Sequence, residues 1–96
     1  MKLSKFGSVI NDTQTGALVY QAISDELKKS SLPIDIDLAG VITMATFCAK
    51  QIFGKLYLEL GQAEFFGRLI LRNASSDLRF IIRTGIDSAL EDNKRR

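Results

Sequence analysis

The sequence contains no histidine and only one cysteine, Cys48, among its 96 residues. Without histidine, the chain lacks the usual general base near neutral pH and the commonest protein ligand of zinc. A single cysteine cannot form an internal disulfide, and this is consistent with a reducing compartment. These absences exclude Ser-His and Cys-His catalysis within the chain, and we expect neither a metal nor another cofactor.

Long apolar runs and a strong excess of one charge are also missing. No stretch approaches the length that crosses a bilayer, and the start MKLSKFGSV lacks the apolar region of a secretion signal. Thirteen basic and eleven acidic residues leave a net charge of +2, and the one dense basic cluster is Lys94-Arg95-Arg96. Nucleic-acid binding needs basic side chains gathered on one face. The sequence predicts a cytoplasmic protein without membrane contact, for which nucleic acid is not the expected partner.

The residues that are present suffice for one folded domain over residues 1–96. Apolar residues make up 46% of the chain and charged residues 25%, which is ordinary for a globular protein. Residues 1–10 read as an edge strand or short hairpin. A helix follows, with Thr13 or Thr15 as its N-cap and with Ser30, Ser31 and Pro33 at its end. Alternating apolar and acidic residues then predict a strand over residues 34–38.

The second half of the chain repeats this alternation of strand and helix. After a loop at residues 41–45, a helix is predicted over residues 46–60 and ends at Gly61. A loop (62–67) and a strand (68–72) follow, and Ser75 or Ser76 caps a last helix. The order β-α-β-α-β-α predicts an α/β fold in which helices pack against a small mixed sheet.

The helix over residues 46–60 has more apolar surface than one buried stripe requires. Its stripe comprises Ala49, Ile52, Phe53, Leu56 and Leu60. Phe47, Cys48, Tyr57 and Leu58 widen the apolar surface beyond it, so the helix is either central or in contact with a partner. We therefore expect an interface to include some of Phe47, Lys50, Gln51, Gly54, Lys55 and Leu58.

A few side chains could carry chemistry, and each also has a purely structural interpretation. Asp35 and Asp37 could form a metal or acid–base pair, or Asp37 could accept hydrogen bonds from the following loop. The hydroxyls of Thr43 and Thr46 lie in the loop and at the helix start. Thr46 could cap that helix or mark a phosphate site. Cys48 could be a reactive thiol or a small buried residue. The structural interpretation is favoured in each case.

Three stretches carry a recognisable pattern: IDLAGVITMATFCAKQIFGKL (36–56), RLILRNAS (68–75), and Phe6-Gly7 ahead of the first helix. In this pattern a strand ending Asp-apolar-small-Gly precedes a loop, the pair Ser-Phe and a helix. The chain thereby resembles the STAS-like family, small bacterial domains of unknown function that are related to anti-sigma factor antagonists.

The resemblance implies a sheet flanked by helices and a protein-binding role. The antagonists bind a kinase-type ATPase through the loop and helix after this strand, and phosphorylation of a serine at the helix start switches them. Asp37 and Gly40 match the strand end, and Thr46-Phe47 matches Ser-Phe. The antagonist run Asp-Ser-Ser-Gly is replaced by residues 45–48, Ala-Thr-Phe-Cys, in which one hydroxyl remains. We therefore expect binding that does not require phosphorylation.

Three functions compete at this point. The leading one is a non-enzymatic regulatory module that binds a kinase-type ATPase, another protein or a second copy of itself through residues 41–60. Its expected site residues are Asp37, Gly40, Thr43, Thr46, Phe47, Lys50 and Leu58. The alternative is a nucleic-acid-binding or defence-complex subunit, supported by Arg68, Arg72, Arg79, Arg83 and the basic end. An enzyme built on Asp35, Asp37 and Thr46 is third, because no base or phosphate loop accompanies them.

Overall fold

Helices make up most of this small α/β domain, of which the computed structural model describes residues 1–94. The strands are β1 (Val9–Ile10), β2 (Ile34–Asp37), β3 (Thr43–Met44) and β4 (Leu69–Arg72). The helices are α1 (Thr13–Lys29), α2 (Thr46–Ala49), α3 (Lys55–Leu60), α4 (Gln62–Arg68) and α5 (Ser76–Lys94). A 3₁₀ turn (Leu3–Phe6) precedes β1. A π-helical turn (Lys50–Gly54) joins α2 to α3. Residues 46–60 are thus one continuous helix, called the central helix below.

The strands form two parallel pairs. β1 pairs with β3, and β2 pairs with β4 in the register Ile34 to Leu69 and Asp37 to Arg72. Lys2 adds a parallel bridge to Asp37. Parallel neighbours need a crossover connection, and a helix supplies it in both cases: α1 between β1 and β3, the central helix between β2 and β4. The predicted α/β class, with helices packed on a small sheet, is confirmed.

Several predicted details were wrong. Of the two N-terminal alternatives, the edge strand is confirmed and the hairpin is not, because β1 pairs with the distant β3; every strand pairing within residues 1–94 is parallel. The predicted loops 41–45 and 62–67 contain β3 and α4, so the order β-α-β-α-β-α omitted two elements. Two residues of strand and seven of helix are too short to show a period in the sequence.

The helix caps agree with the sequence at most ends. Ser75 caps α5 by accepting a hydrogen bond from the Leu78 N–H at 3.1 Å. Gly61 ends α3 with a φ of +83°, a conformation that side chains disfavour. The prediction for α1 was wrong: Asp12 is the N-cap, and its carboxylate accepts the Thr15 N–H at 2.7 Å. A carboxylate at this end also benefits from the helix dipole.

The central helix lies in the middle of the core. Its predicted stripe is buried at Ala49, Ile52, Phe53 and Leu56, while Leu60 is half-buried. It packs against α1 on one side and α5 on another. Two packing partners explain why its apolar surface is wider than a single stripe.

The central helix and α5 approach each other through small residues. A Cβ atom on Gly85 would lie 2.6 Å from backbone atoms of Ala49 and Lys50, and one on Gly54 would lie 2.8 Å from the Ala89 Cβ. The two helices run in the same direction, because residue numbers rise along both of them from the contact of Ala49 with Gly85 to the contact of Gly54 with Ala89. A π-helical turn brings residues five apart into line, so Ala49 and Gly54 both face α5.

Candidate functional site

An open groove of about 330 Å³ separates the exposed flank of the central helix from the end of α5. Phe47, Lys50, Lys55 and Leu58 line it from the central helix, and Asp92 and Asn93 line it from α5. We call it the central-helix groove. Three predicted site residues, Phe47, Lys50 and Leu58, therefore lie together.

The apolar part of the central-helix groove consists of side chains that the core leaves open to solvent. Phe47 is 47% exposed and Leu58 is 42% exposed, although both belong to the most buried helix of the domain. They stand about three helical turns apart on the same groove. Large apolar side chains gathered at a concave surface are typical of a binding site.

Each lysine of the groove contacts a neighbouring side chain. Lys50 forms an ion pair with Asp92 across the groove. The Lys55 Nζ atom lies 4.3 Å from the centroid of the Tyr20 ring, whose hydroxyl donates a hydrogen bond to Glu59. Exposed contacts of these kinds contribute about 1 kcal/mol or less each. The groove therefore combines an apolar surface with a paired lysine, Lys50, and a lysine over an aromatic ring, Lys55.

Thr46 borders this site but does not cap its helix. It is exposed and is the first residue of α2, while Ala45 occupies the N-cap position without a side-chain hydrogen bond. The capping interpretation of Thr46 was wrong, because its hydroxyl lies one residue too far along the chain. Gly54, expected as a candidate interface residue, is instead buried against α5.

The other predicted residues lie at the strand ends and do not line the central-helix groove. Asp37 Oδ1 accepts hydrogen bonds from the Ala39 N–H and the Asn73 side-chain amide, both at 2.9 Å. Gly40 has a φ of +85° in the following turn. Thr43 is exposed in β3, opposite Val9. The structural interpretation of Asp37, as an acceptor for the loop, is confirmed.

The remaining chemical candidates have structural partners too. Asp35 forms an ion pair with Arg72 at 3.0 Å. Cys48 is buried, and burial raises the pKa of its thiol, with the Asp12 charge as a smaller cause. No group of three or more metal-ligating side chains comes together within residues 1–94. None of the helices described over these residues is long and apolar enough to cross a membrane.

Asp37 leads to a prediction about acid stability. Hydrogen bonds from the Asn73 side chain and then from the Ala39 N–H lower the pKa of this carboxyl group. Its contribution to stability is therefore present above the unfolded-state pKa of about 4 and is lost as pH falls through the lower folded-state pKa. We expect Asp37→Asn, which keeps the acceptor oxygen, to lose less stability than the wild type on acidification.

Urea unfolding at steps from neutral pH downwards measures this difference. Asp12→Asn is the matched comparison, because hydrogen bonds from Thr15 also lower the pKa of Asp12. In each variant the free energy of unfolding should fall less steeply with decreasing pH than it does in the wild type. In the double variant it should fall less steeply still. If the free energy of unfolding of Asp37→Asn falls with decreasing pH as steeply as that of the wild type, Asp37 is not a cause of the acid sensitivity.

Short parallel strands flanked by helices, with an exposed helix start just after a strand-end turn, define a small α/β domain whose fold is consistent with a STAS-like domain. The chain belongs to the family described as a STAS-like domain of unknown function (DUF4325), whose model matches residues 15–79. No curated protein and no solved structure matches the chain. The match covers the strand end, the central helix and the start of α5.

Sequence reasoning missed the part of the site that α5 contributes. Asp92 and Asn93 face the central helix only because α5 crosses it closely at Gly85 and Ala89. The opposite charges of Lys50 and Asp92 were visible in the sequence. Their pairing depends on the tertiary packing of two helices, which no local spacing reveals.

Proposed function

We propose that this chain is a non-enzymatic, cytoplasmic regulatory module that binds another protein through the central-helix groove. The family membership and the resemblance to anti-sigma factor antagonists favour a kinase-type ATPase as the partner. The antagonists use the loop and helix after the strand-end Asp and Gly, which correspond to residues 41–60. The groove lies on this same helix.

The observation that carries the proposal is the joint exposure of Phe47 and Leu58 on one groove. Burying such side chains in a partner stabilises a complex, and aromatic residues are frequent hot spots. Truncation of a hot spot typically costs about 2 kcal/mol, which is about 30-fold in affinity. Beside its apolar residues, the part of the groove described within residues 1–94 has lysine, amide and carboxylate side chains and no nucleophile paired with a general base.

Thr46 is a position beside the groove at which an added negative charge would affect binding. Its exposed hydroxyl precedes Phe47 and lies at the positive end of the helix dipole. The run Ala45-Thr46 lacks the aspartate and second hydroxyl of the antagonists. Binding by the unmodified protein is therefore the proposal, and a phosphate at Thr46 would place negative charge beside the apolar anchor.

Two of the arginines that supported the nucleic-acid alternative form contacts within the domain. Arg68 donates hydrogen bonds to backbone carbonyls at the end of α1, among them that of Leu27 at 3.1 Å. Arg72 pairs with Asp35. Arg95 and Arg96 lie outside the described residues. Of the four arginines that supported this alternative, only Arg79 and Arg83 are left without such contacts among residues 1–94, which is a small basic surface for phosphate binding.

Capture of partners with the wild type and two matched variants tests the proposal. Phe47→Asp should remove a co-purifying protein that the wild type retains, because it places a charge in the apolar part of the groove. Leu18→Asp is the control, since Leu18 is 62% exposed on α1 and does not line the groove. Mass spectrometry identifies the retained proteins, and the purified pair is then titrated by calorimetry.

The titration decides the outcome. Phe47→Asp should weaken binding by about 30-fold or more, and Leu18→Asp should leave it unchanged. Equal binding by both variants, each shown to be folded by circular dichroism, would remove the central-helix groove from consideration. Retention of a nucleic acid rather than a protein would favour the alternative.

A further inference from the structure

A second and larger groove lies on the other flank of α5. Its volume is about 460 Å³, and α4, α5, β4 and Tyr57 of the central helix line it. Its apolar lining includes the exposed Phe66, the half-buried Tyr57 and Leu71 and the buried Phe65, and its rim carries Arg79 and Arg83. We call it the α4–α5 groove. It shares no lining residue with the central-helix groove, so the proposed function leaves it unexplained.

Three aromatic rings build a firm wall in the α4–α5 groove. Phe65 is buried, and its ring centroid lies 5.2 Å from that of Phe66 at an interplanar angle of 87°. Tyr57 contacts both rings, at 5.3 Å and 6.1 Å. Edge-to-face packing of this kind is favourable and fixes the rings. Phe66 is nevertheless 62% exposed, so an apolar ring held by its neighbours faces solvent.

The rim carries two arginines without acidic partners. Arg79 and Arg83 are exposed and stand four residues apart, so they lie on the same face of α5. Within residues 1–94, neither guanidinium lies within 4.0 Å of a carboxylate. Among the residues that the structure describes, Asp87 is the single acidic one lining the groove, so two positive charges face one negative charge there. The groove therefore favours an anionic ligand.

The length of the groove corresponds to that of a short helix. It extends along α5 from Arg79 to Leu90, eleven residues, which corresponds to about 16 Å or three helical turns. A helix laid alongside α5 would present side chains at the same four-residue spacing as the two arginines. Helix-in-groove binding is a recurrent mode of recognition by surfaces that combine an apolar floor with a charged rim.

We propose that the α4–α5 groove binds an amphipathic helix of a partner protein, with acidic residues four positions apart beside an apolar stripe. The apolar stripe packs on Phe66 and Leu71, and the two carboxylates pair with Arg79 and Arg83. Arginine suits this role because its planar guanidinium binds a carboxylate through two hydrogen bonds. The inference rests on this surface alone and does not depend on the central-helix groove.

The geometry argues against a nucleic acid at the same place. The rings of Tyr57, Phe65 and Phe66 pack against one another at 55° to 87°, so they do not form the open platform on which successive bases stack. A net excess of one positive charge is also small for a surface that follows a phosphate backbone. An amphipathic helix with acidic residues would contact both the aromatic side chains and the two arginines of the groove.

A displayed library of amphipathic helices of about 18 residues tests the proposal, since isolated helices shorter than about 12–15 residues are marginal in water. The apolar stripe is fixed and the flanking positions are randomised. The library is selected on the wild type and counter-selected on Arg79→Glu with Arg83→Glu. We expect enriched peptides with two acidic residues four apart. A synthetic peptide with an enriched sequence should bind the wild type at least about tenfold more tightly than it binds the charge-reversed variant.

Three controls decide the result. Lys28→Glu with Lys29→Glu makes the same change of charge on α1 and should retain the peptide, whereas Phe66→Ala should weaken it. Lys55→Glu with Leu58→Asp should also retain it, which separates this groove from the central-helix groove. Enrichment without acidic pairs, or equal binding to the charge-reversed variant, would overturn the proposal. A labelled single-stranded oligonucleotide that binds through the same two arginines would overturn it as well.

The exposure of both arginines keeps this test interpretable. Neither side chain belongs to the core, so the charge-reversed variant should melt close to the wild type. If charge reversal lowers the melting temperature, Arg79→Gln with Arg83→Gln removes the positive charges without adding negative ones. Peptide affinity should fall in that variant too, and an unchanged affinity would again contradict the proposal.

Discussion

Replacing Gly85 with alanine should lower the free energy of unfolding by about 2 kcal/mol or more, even though alanine favours helices. The new Cβ atom would lie 2.6 Å from the Ala49 carbonyl carbon and from the Lys50 nitrogen, and 2.8 Å from the Ala49 Cβ. The obstacles are mainly backbone atoms, which cannot move aside by rotating a side chain. The helices would have to separate where they pack most closely.

Helix propensity alone predicts the opposite sign. Exchanging glycine for alanine inside a helix stabilises it by about 0.5–1 kcal/mol, because the unfolded chain loses freedom. Overpacking a tight contact costs about 1–3 kcal/mol and occasionally more. Steric cost wins at Gly85 because no neighbouring side chain can give way. A loss of about 2 kcal/mol lowers the melting temperature of a domain of this size by roughly 10 °C.

Gly67→Ala is the matched control. Gly67 lies in α4, and a Cβ atom there would meet no atom within 4 Å. This variant should match the wild type or exceed its stability by up to about 1 kcal/mol. Thermal and urea unfolding of both variants compare the two effects directly. If Gly85→Ala stabilises the protein as much as Gly67→Ala does, the close approach of α5 and the central helix is wrong.

The sequence predicted elements whose periodicity extends over several turns. The central helix and its buried residues Ile52, Phe53 and Leu56 followed from their spacing, and Ser75 followed from its position before an apolar period. β3 and α4 could not be found in this way. β3 exists because its backbone pairs with β1, and α4 is held by the burial of Phe65. Both depend on residues far away in the chain.

The same distinction applies to the site. Phe47, Lys50 and Leu58 line one groove, and their position outside the buried stripe of the helix followed from the sequence; that they bind a partner stays a prediction. The π-helical turn could not be predicted, because it arises where the central helix packs against two other helices at once. Gly54, one of the six candidates for an interface, is therefore buried in the domain. Its missing side chain makes room for α5 rather than for a partner.

Leu58→Asp combined with Lys55→Glu should abolish binding through the central-helix groove while the domain stays folded. Leu58 is 42% exposed, so an aspartate there reaches water and does not enter the core. Lys55 is exposed as well, and its loss removes the contact with the Tyr20 ring and places a carboxylate near Glu59. Like charges four apart on a helix cost only about 0.5 kcal/mol. Circular dichroism and thermal melting should therefore show a folded domain.

Binding should change far more than stability. A partner that buries Leu58 would have to bury a carboxylate, which costs several kcal/mol unless it is paired. We expect the affinity for a captured partner to fall by about 100-fold or more, and any self-association seen by light scattering to disappear if a second copy occupies the groove. The matched control is Leu18→Asp with Lys28→Glu, the same two changes on α1, which should leave both measurements unaltered. A folded Leu58→Asp, Lys55→Glu variant with unchanged partner recovery and unchanged mass would place the binding surface elsewhere on the domain. Because Leu58 does not line the α4–α5 groove, that result would leave the inference about Arg79 and Arg83 standing.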